Sequence, residues 1–222
     1  MTDFALSGES FLLGIVTSVF RGLYQQVDNM AIPVSTENER TTYLKSIVEA
    51  AAGQDVMAWP KPNDDDLVLF ARIIGFYSGI DFSLRYVAEI MDNDGMLSAP
   101  WKGKTAKLTM YKLTQAIRSS NIWNESHNVG FDQIELYRRA RNLVAHFVIR
   151  RLPTEDAFIF MTMSSSDFKQ VYGALPKRDS MLYGVIDAAQ MHGIIPVLQG
   201  LISWCSKLPG SLSNPRKPDV DE

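Results

Sequence analysis

Apolar side chains recur every three or four positions along most of this chain, which is the period of an amphipathic α-helix. The pattern is clearest near the start, where five apolar residues are spaced four apart: Phe11, Ile15, Val19, Leu23 and Val27. It predicts one helix over about residues 9–30 and a second over about 36–52, which Gly53 closes. Residues 59–62 (Trp-Pro-Lys-Pro) cannot continue a helix. Residues 1–62 are therefore predicted to form an N-terminal helical extension.

The longest apolar pattern covers residues 67–91 and predicts the longest helix of the protein. Three aspartates at 64–66 precede it, and negative charge is favourable there because the helix dipole is positive at its N-terminus. The turn-forming residues 93–95 (Asn-Asp-Gly) end this helix. A further helix is predicted over about residues 105–118.

Another helix is predicted over residues 131–151, after a polar connection at 121–130. Pro153 ends it, because proline disfavours helical geometry in the residue before it. Residues 157–163 are rich in β-favouring side chains and fit a short strand, although a buried loop would show the same pattern.

Two more helices are predicted near the C-terminus. A short one follows the serines at 164–166 and ends near Tyr172, and a long one covers about residues 179–205. The long helix contains Gly193 and Pro196, and a kink is expected at one of them.

The chain as a whole is predicted to be all-α. Residues 63–206 are expected to form an antiparallel helical bundle with at most one short β segment, followed by a disordered tail at 207–222 that is rich in proline, serine and charge. With 222 residues, 46% of them hydrophobic, the chain can bury roughly 70% of its unfolded surface around one core.

Composition excludes several classes of protein. The single cysteine, Cys205, cannot form an intramolecular disulfide and has no neighbours at metal-ligand spacing, so a cytoplasmic setting and no bound metal are expected. The apolar stretch at 11–24 is interrupted by Arg21 and lacks a basic leader, which does not fit a signal peptide. No apolar run has the length of a membrane span, so no membrane contact is expected. No phosphate-cradling glycine loop is present, and no cofactor is expected.

Positive charge is concentrated in one place, although the formal net charge is -3. Five arginines fall within 14 residues that contain no acid: Arg138, Arg139, Arg141, Arg150 and Arg151. On a helix, residues four apart lie one above another, so Arg138, Asn142, His146 and Arg150 are predicted to form a polar stripe that Arg141 flanks. This local patch is the predicted RNA-binding surface, in particular through Arg138, Arg139, Arg150 and Arg151.

The residue types in this stripe suit phosphodiester chemistry. A histidine titrates near neutral pH and can transfer protons, while a guanidinium holds phosphate oxygens with a planar fork. In RNA the 2'-hydroxyl can attack the adjacent phosphate, so a proton-transfer group and a cation suffice and a metal is not obligatory. Asn142 could orient His146 or a phosphate oxygen from one turn away.

The run from Arg141 to His146 (Arg-Asn-Leu-Val-Ala-His) resembles the signature of the HEPN superfamily, which is Arg, a polar residue, three residues and His on the third core helix. Ile74, Gly75 and residues 77–87 look like the first core helix of that family, and 104–117 look like the second. The resemblance covers about residues 65–206.

The resemblance implies a function. Many HEPN proteins are metal-independent endoribonucleases, often toxins or defence effectors, and act as homodimers in which two Arg and His sets face one cleft. Arg141 and His146 would then be catalytic and Asn142 supporting. RNA and a second copy of the chain are the expected partners, with an antitoxin or regulatory protein as a further candidate. An acid on the first core helix would hold Arg141, and Asp81 and Glu89 compete for that role.

Simpler explanations exist for some of these residues. Arg150 and Arg151 could merely complement a helix dipole, and His146 could be a buried structural histidine. Four lysines fit a solvated helix face as well as an RNA contact: Lys102, Lys104, Lys107 and Lys112.

Two other functions compete with the predicted ribonuclease. One is a catalytically silent HEPN-like module that binds RNA, nucleotide or protein, since a fold does not establish an activity. The other is a helical partner-binding protein that uses residues 1–60 and carries the motif by coincidence. Geometry across the dimer separates the ribonuclease from the silent module: convergence of Arg141 and His146 of both chains on an open cleft favours the enzyme, whereas burial in a salt-bridge cluster favours the module.

Overall fold

The computed structural model describes residues 39–51, 54–172 and 182–212. The helix predicted over residues 9–30 and the tail beyond residue 212 lie outside the described residues. The helices are α1 (Glu39–Ala50), α2 (Asp64–Asn93), α3 (Met110–Arg118), α4 (Glu125–His146), α5 (Ser165–Tyr172), α6 (Ala188–Cys205) and α7 (Leu208–Leu212). The strands are β1 (Val148–Arg151), β2 (Ala157–Thr162) and β3 (Leu182–Asp187).

The described part of the protein is mainly helical, as predicted, but it also contains a three-stranded antiparallel sheet in the order β1-β2-β3. The central strand, β2, occupies the segment for which either a strand or a buried loop was expected. The segments of β1 and β3 were both predicted to be helical, and those predictions are wrong.

Backbone pairing explains the two unexpected strands. All six residues of β2 are buried, so its N–H and C=O groups need hydrogen-bond partners on both edges. Val148 of β1 pairs opposite Met161 on one edge, and Leu182 of β3 pairs opposite Thr162 on the other. A short segment that suits either state becomes a strand when a buried strand lies beside it.

The helix that carries the candidate chemistry, α4, differs from the prediction at both ends. It begins at Glu125 because the Asn124 side chain caps it, accepting a hydrogen bond from the backbone N–H of His127. It ends at His146, where the buried Phe147 leads the chain into β1. Arg150 and Arg151 therefore lie on a strand. The simpler explanation that these two charges complement a helix dipole does not apply to them.

The sheet has a hydrophobic core on each face. Phe158 and Phe160 point from β2 into the main core and pack against Phe70 of α2, with ring centroids 5.3 and 6.4 Å apart. The alternate residue Ile159 lies on the opposite face, where Leu44 of α1 joins the second core. This alternation follows from the two-residue period of a strand.

The central helix of the protein is α2. It begins with a capping box in which Asn63 and Asp66 exchange side-chain-to-backbone hydrogen bonds of 2.9 and 2.8 Å. Length and apolar content alone also make α2 a candidate membrane span. In this fold its buried face packs against α3, α4 and α6. Its core residues recur every three or four positions: Ile73, Tyr77, Ile80, Leu84, Val87 and Met91.

Two further features complete the core. The beginning of the predicted disordered tail instead forms α7, whose Leu208 and Leu212 are buried, so that part of the prediction is wrong. The helices α4 and α6 approach so closely that a Cβ atom at Gly130 would lie 2.5 Å from the Trp204 ring. Because Gly130 has no side chain, α4 can pack this close to α6.

Candidate functional site

The candidate catalytic residues lie on the last two turns of α4. Ala140 and Leu143 face the core and are buried, which fixes the rotation of the helix. The same rotation leaves Arg141 and Asn142 half-buried and His146 exposed. Packing of the apolar face thus presents the motif at the surface.

The guanidinium of Arg141 contacts both of the other candidate residues, Asn142 and His146. Its Nη1 donates to Asn142 Oδ1 at 3.2 Å and lies 3.4 Å from His146 Nε2. Among the described residues, no carboxylate lies within ion-pair distance of Arg141. An accessible guanidinium without an acidic partner can accept an anion at no cost in broken ion pairs.

Arg141 and Asn142 also line a cleft of about 530 Å³. Its walls come from α2, α3 and α4, with Gln170 of α5 at one side. The remaining lining residues are Tyr77, Ser78, Asp81, Arg85, Thr109, Met110, Tyr111 and Arg138. His146 is outside this set and stands beside the cleft through its contact with Arg141. The structure therefore gathers the three predicted catalytic residues at a cleft open to solvent.

The lining of the cleft is net positive. It contains three arginines, Arg85, Arg138 and Arg141, against one acid, Asp81, a balance of +2 from these side chains. Outside the lining, Glu135 pairs with Arg138 at 2.6 Å, which reduces the balance to +1. An excess of positive charge in a recess favours the binding of an anion.

Arg138 is held in place by Glu135. Burial lowers the pKa of Arg138, but the hydrogen bonds to Glu135 and the negative charge of that carboxylate together outweigh burial, so the pKa lies above its ordinary value. Two of these bonds, from Nε and Nη2 to Oε1, measure 2.9 and 2.6 Å. Arg138 therefore remains charged, but its charge is largely neutralised by its own neighbour.

Asp81, one of the two acids considered as a partner of Arg141, lines the cleft but pairs with Arg85 instead. Arg85 Nε donates to Asp81 Oδ2 at 3.0 Å, and Arg85 also donates to the carbonyl of Leu108. The other oxygen, Oδ1, is buried without a hydrogen-bond donor among the described residues. Glu89, the alternative to Asp81, is exposed and does not line the cleft. Of the two acids, only Asp81 is placed near Arg141.

The remaining arginines of the predicted RNA-binding set lie elsewhere. Arg139 is half-buried on α4 and does not line the cleft. Arg150 donates to the carbonyls of Met57 and Ile149. Arg151 forms a bidentate pair with Asp66, at 2.6 and 2.7 Å. The guanidiniums of Arg150 and Arg151 make structural contacts within the fold, so neither residue is assigned to the candidate RNA-binding surface.

Sequence reasoning missed the opposite walls of the cleft. Tyr77 is buried, burial raises its pKa, and its hydroxyl donates to the carbonyl of Ile134. Arg85 and Tyr111 reach the site from α2 and α3. The i,i+4 spacing of Asp81 and Arg85 was the available signal for a helical ion pair, but it could not indicate which helix lies across from α4.

The four lysines that fitted either a solvated face or an RNA contact are exposed in the structure. Lys104 Nζ donates to the carbonyl of Pro100, and Lys112 lies on α3 next to Tyr111. None of the four lines the cleft. In the described ranges, no cluster of three or more His, Cys, Asp or Glu has the arrangement of a metal site. Comparison with family models, curated proteins and solved structures found no match.

Proposed function

We propose that this protein cleaves RNA without a metal, using Arg141 and His146 of α4. The observation that carries the proposal is the contact between Arg141 and the exposed His146 imidazole beside a net positive cleft, with no carboxylate within ion-pair distance of Arg141 among the described residues. The two residues are not buried in a salt-bridge cluster, the arrangement expected of a catalytically silent module. A HEPN-like bundle, suggested by the motif from Arg141 to His146, is part of the proposal.

In the proposed reaction the RNA 2'-hydroxyl attacks the adjacent phosphorus, and the bond to the 5'-oxygen of the next nucleotide breaks. His146 transfers a proton in this displacement, either from the attacking hydroxyl or to the leaving oxygen. Arg141 donates two parallel hydrogen bonds to the non-bridging oxygens, which carry more negative charge in the transition state. The products are a 2',3'-cyclic phosphate and a free 5'-hydroxyl.

The contact between Arg141 and His146 has a role in this mechanism. The guanidinium lies 3.4 Å from His146 Nε2, and in the proposed mechanism it donates a hydrogen bond to this nitrogen before substrate binds. A bound phosphate competes for the same donor group. Binding of RNA would therefore release Nε2 for proton transfer while Asn142 keeps hold of the guanidinium.

The test is to incubate the purified protein with a mixture of RNAs in EDTA and to compare it with His146→Ala. Cleavage by the wild type should survive EDTA, and His146→Ala should reduce the rate by about 10²- to 10⁴-fold, the scale for one positioned acid or base. Mass spectrometry of the products should find the 2',3'-cyclic phosphate. RNA affinity should change little, since His146 acts on protons.

His192 provides the matched control. It is also an exposed histidine, on α6, and it does not line the cleft, so His192→Ala should cleave like the wild type. Circular dichroism must show that both variants are folded. Activity abolished by EDTA, or unchanged in folded His146→Ala, would refute the enzyme and leave a catalytically silent RNA-binding module. A role as a toxin or defence effector has no support beyond the resemblance and is not included in the proposal.

A further inference from the structure

One face of α2 carries two large aromatic side chains that the described part of the protein leaves in water. Phe82 is 76% exposed and Tyr86 is 55% exposed. Neither ring lines the cleft beside Arg141. The opposite face of the same helix forms the core, so this face is a second apolar surface of α2. Its burial against another apolar group is favourable.

The same face continues toward the start of α2 with small residues. Ala71 and Gly75 are exposed, and Gly79 is half-buried. A Cβ atom at Gly75 would meet no neighbouring side chain within 4 Å, so the space above the helix is open there. At 3.6 residues per turn, five residues follow one line along the helix, and we call them the outer stripe of α2: Ala71, Gly75, Gly79, Phe82 and Tyr86. The outer stripe carries no charge and is about 22 Å long.

The apolar row of the N-terminal segment matches the outer stripe in length and in its lack of charge. This segment, predicted to be a helix over residues 9–30, lies outside the described residues. As a helix its row is about 24 Å long. Such an amphipathic helix needs an apolar surface that covers its row. The row consists of Phe11, Ile15, Val19, Leu23 and Val27.

A chain of ion pairs places the beginning of α1 close to the beginning of α2. Arg40, in the first turn of α1, pairs with Glu155 at 2.8 Å. The adjacent Asp156 pairs with Arg151 at 2.8 Å, and Arg151 pairs with Asp66 in the first turn of α2 at 2.6 Å. The N-terminal segment therefore joins the described part of the protein at this corner.

The length of the connection determines the direction of the segment. Residues 31–38 join it to α1, and eight residues span at most about 28 Å. With 30 residues, α2 is about 45 Å long, so this connection reaches its first half but not its far end. Val27 must then lie nearest the start of the outer stripe and Phe11 nearest its end, which makes the segment antiparallel to α2.

We propose that the outer stripe of α2 is the docking site for residues 9–30 of the same chain, bound as an antiparallel helix. Leu23 then lies over Gly75, where the missing side chain lets the two backbones approach. Phe11 and Ile15 pack on the rings of Tyr86 and Phe82. An uncharged stripe has no group to pair with a phosphate or a carboxylate, so an apolar helix fits it better than a charged ligand.

The register follows from matching the two rows end to end. Val27 lies beside Ala71 in this arrangement. Leu67 and Val68, which precede the outer stripe on α2, are left uncovered. The inference does not depend on the proposed reaction, because the outer stripe contains no residue assigned to catalysis.

The experiment traps the docked segment with a disulfide in the full chain. Leu23→Cys combined with Gly75→Cys should form a bond within one chain, because a disulfide requires Cα atoms less than about 7 Å apart. Gln25→Cys with Gly75→Cys is the matched control, since residue 25 faces away from the apolar row and should give little of this bond. Cys205 is buried, and burial raises its pKa to about 12, so it takes no part in the exchange.

Two charge substitutions test whether the apolar row holds the segment in place. In the Leu23 and Gly75 cysteine background, Val19→Glu should lower the disulfide yield by at least about fivefold, because a carboxylate is costly in an apolar contact. Thr17→Glu adds the same charge on the other side of the predicted helix and should leave the yield unchanged. Circular dichroism must show that each variant is folded.

Non-reducing electrophoresis and peptide mass spectrometry separate the outcomes. A bond within one chain that depends on Leu23→Cys and is lost in Val19→Glu would support the docked segment. A bond between two chains would show that a second copy covers the outer stripe and would overturn the inference. Equal yields from the Leu23 and Gln25 pairs, no bond in either, or an unchanged yield in Val19→Glu would also overturn it.

Discussion

The guanidinium of Arg141 differs in its surroundings from the other arginines near it. Arg138 is neutralised by Glu135, Arg85 by Asp81 and Arg151 by Asp66, whereas Arg141 contacts Asn142 and the His146 ring and has no carboxylate at ion-pair distance in the described part of the chain. An ion pair must be broken before an arginine can bind a phosphate, which costs free energy. Arg141 is therefore the arginine of this region best prepared for that role.

Substitution of Arg141 tests whether its planar fork is needed. Arg141→Ala should lower kcat by about 10²- to 10³-fold, the scale for removal of one group that stabilises developing charge. Arg141→Lys should still lower kcat by about tenfold or more, because a point charge cannot form two parallel hydrogen bonds. The measurement is single-turnover cleavage of a defined RNA by gel.

Arg150→Lys is the control for this pair, since Arg150 lies outside the cleft and its guanidinium donates to the backbone carbonyls of Met57 and Ile149. It should keep the wild-type rate. If Arg141→Lys is as fast as the wild type, Arg141 acts only as a charge. If Arg150→Lys is equally slow, the loss reflects general disturbance of the fold.

The junction of β1 and α2 ties the sheet to the helix that forms one wall of the cleft. Arg151 of β1 donates two hydrogen bonds to Asp66, which is only 3% exposed and also caps α2. The Arg151 guanidinium also lies 5.1 Å above the Phe158 ring. Without Asp66, the acid that remains beside the Arg151 guanidinium in the described part of the chain is the exposed Asp156, 2.8 Å from its Nη1, so the loss of the buried partner is only partly compensated.

Asp66→Ala should reduce the free energy of unfolding at pH 7 by roughly 2–3 kcal/mol, through the lost pair and the lost capping bond. Urea denaturation followed by circular dichroism measures this loss. Asp65→Ala removes an exposed acid from the same helical turn and should cost far less. Equal losses in the two variants would show that the Asp66 pair contributes nothing beyond the helix dipole.

The same pair makes stability depend on pH. Burial raises the pKa of Asp66, but hydrogen bonds from Arg151 and from the backbone of Asn63 outweigh it, so the folded-state pKa lies below the ordinary value. The stabilising contribution is therefore complete above the unfolded-state value of about 4 and is lost as the pH falls through the folded-state value. Below that range, Asp66→Ala should approach the wild type in stability.

At the scale of the whole molecule, α2 carries exposed apolar residues away from the cleft. Leu67 and Val68 lie on its first turns, and Leu67 precedes Tyr77, the first cleft-lining residue of α2, by ten positions, about 15 Å along the helix. Exposed apolar residues of this kind are typical of a protein interface. The resemblance to HEPN proteins implies a homodimer, and we propose that this end of α2 lies in its contact.

The protein should therefore be a dimer by size-exclusion chromatography with light scattering at micromolar concentration. The double variant Leu67→Glu, Val68→Glu should be monomeric, because it places four charges in a symmetric contact. Tyr111→Leu should remain dimeric, since Tyr111 lines the cleft. A monomeric wild type would contradict the dimer, and a dimeric double variant would place the contact elsewhere on the surface.

The positions of most helices follow from the sequence alone. Apolar period, caps and terminating residues located α2 to within three residues at its start and two at its end, and they also indicated α3 and α5. The spacing of Arg141, Asn142 and His146 on one helix was likewise sufficient to place these side chains together, because the geometry of a helix is local. Nothing beyond neighbouring residues is needed for such predictions.

Tertiary structure alone decided which segments became strands and what lies opposite α4. The segments of β1 and β3 suit a helix locally, and only pairing with the buried β2 makes them extended. Because β1 is a strand, Arg150 and Arg151 do not lie on the predicted helical stripe, and Arg151 forms an ion pair with Asp66. The cleft is lined by residues as far apart in the chain as Arg85 and Arg141, and no local pattern encodes which helices pack together. The candidate arginine and histidine side chains could therefore be identified from the sequence, whereas their ion-pair partners and the facing helices depend on long-range packing.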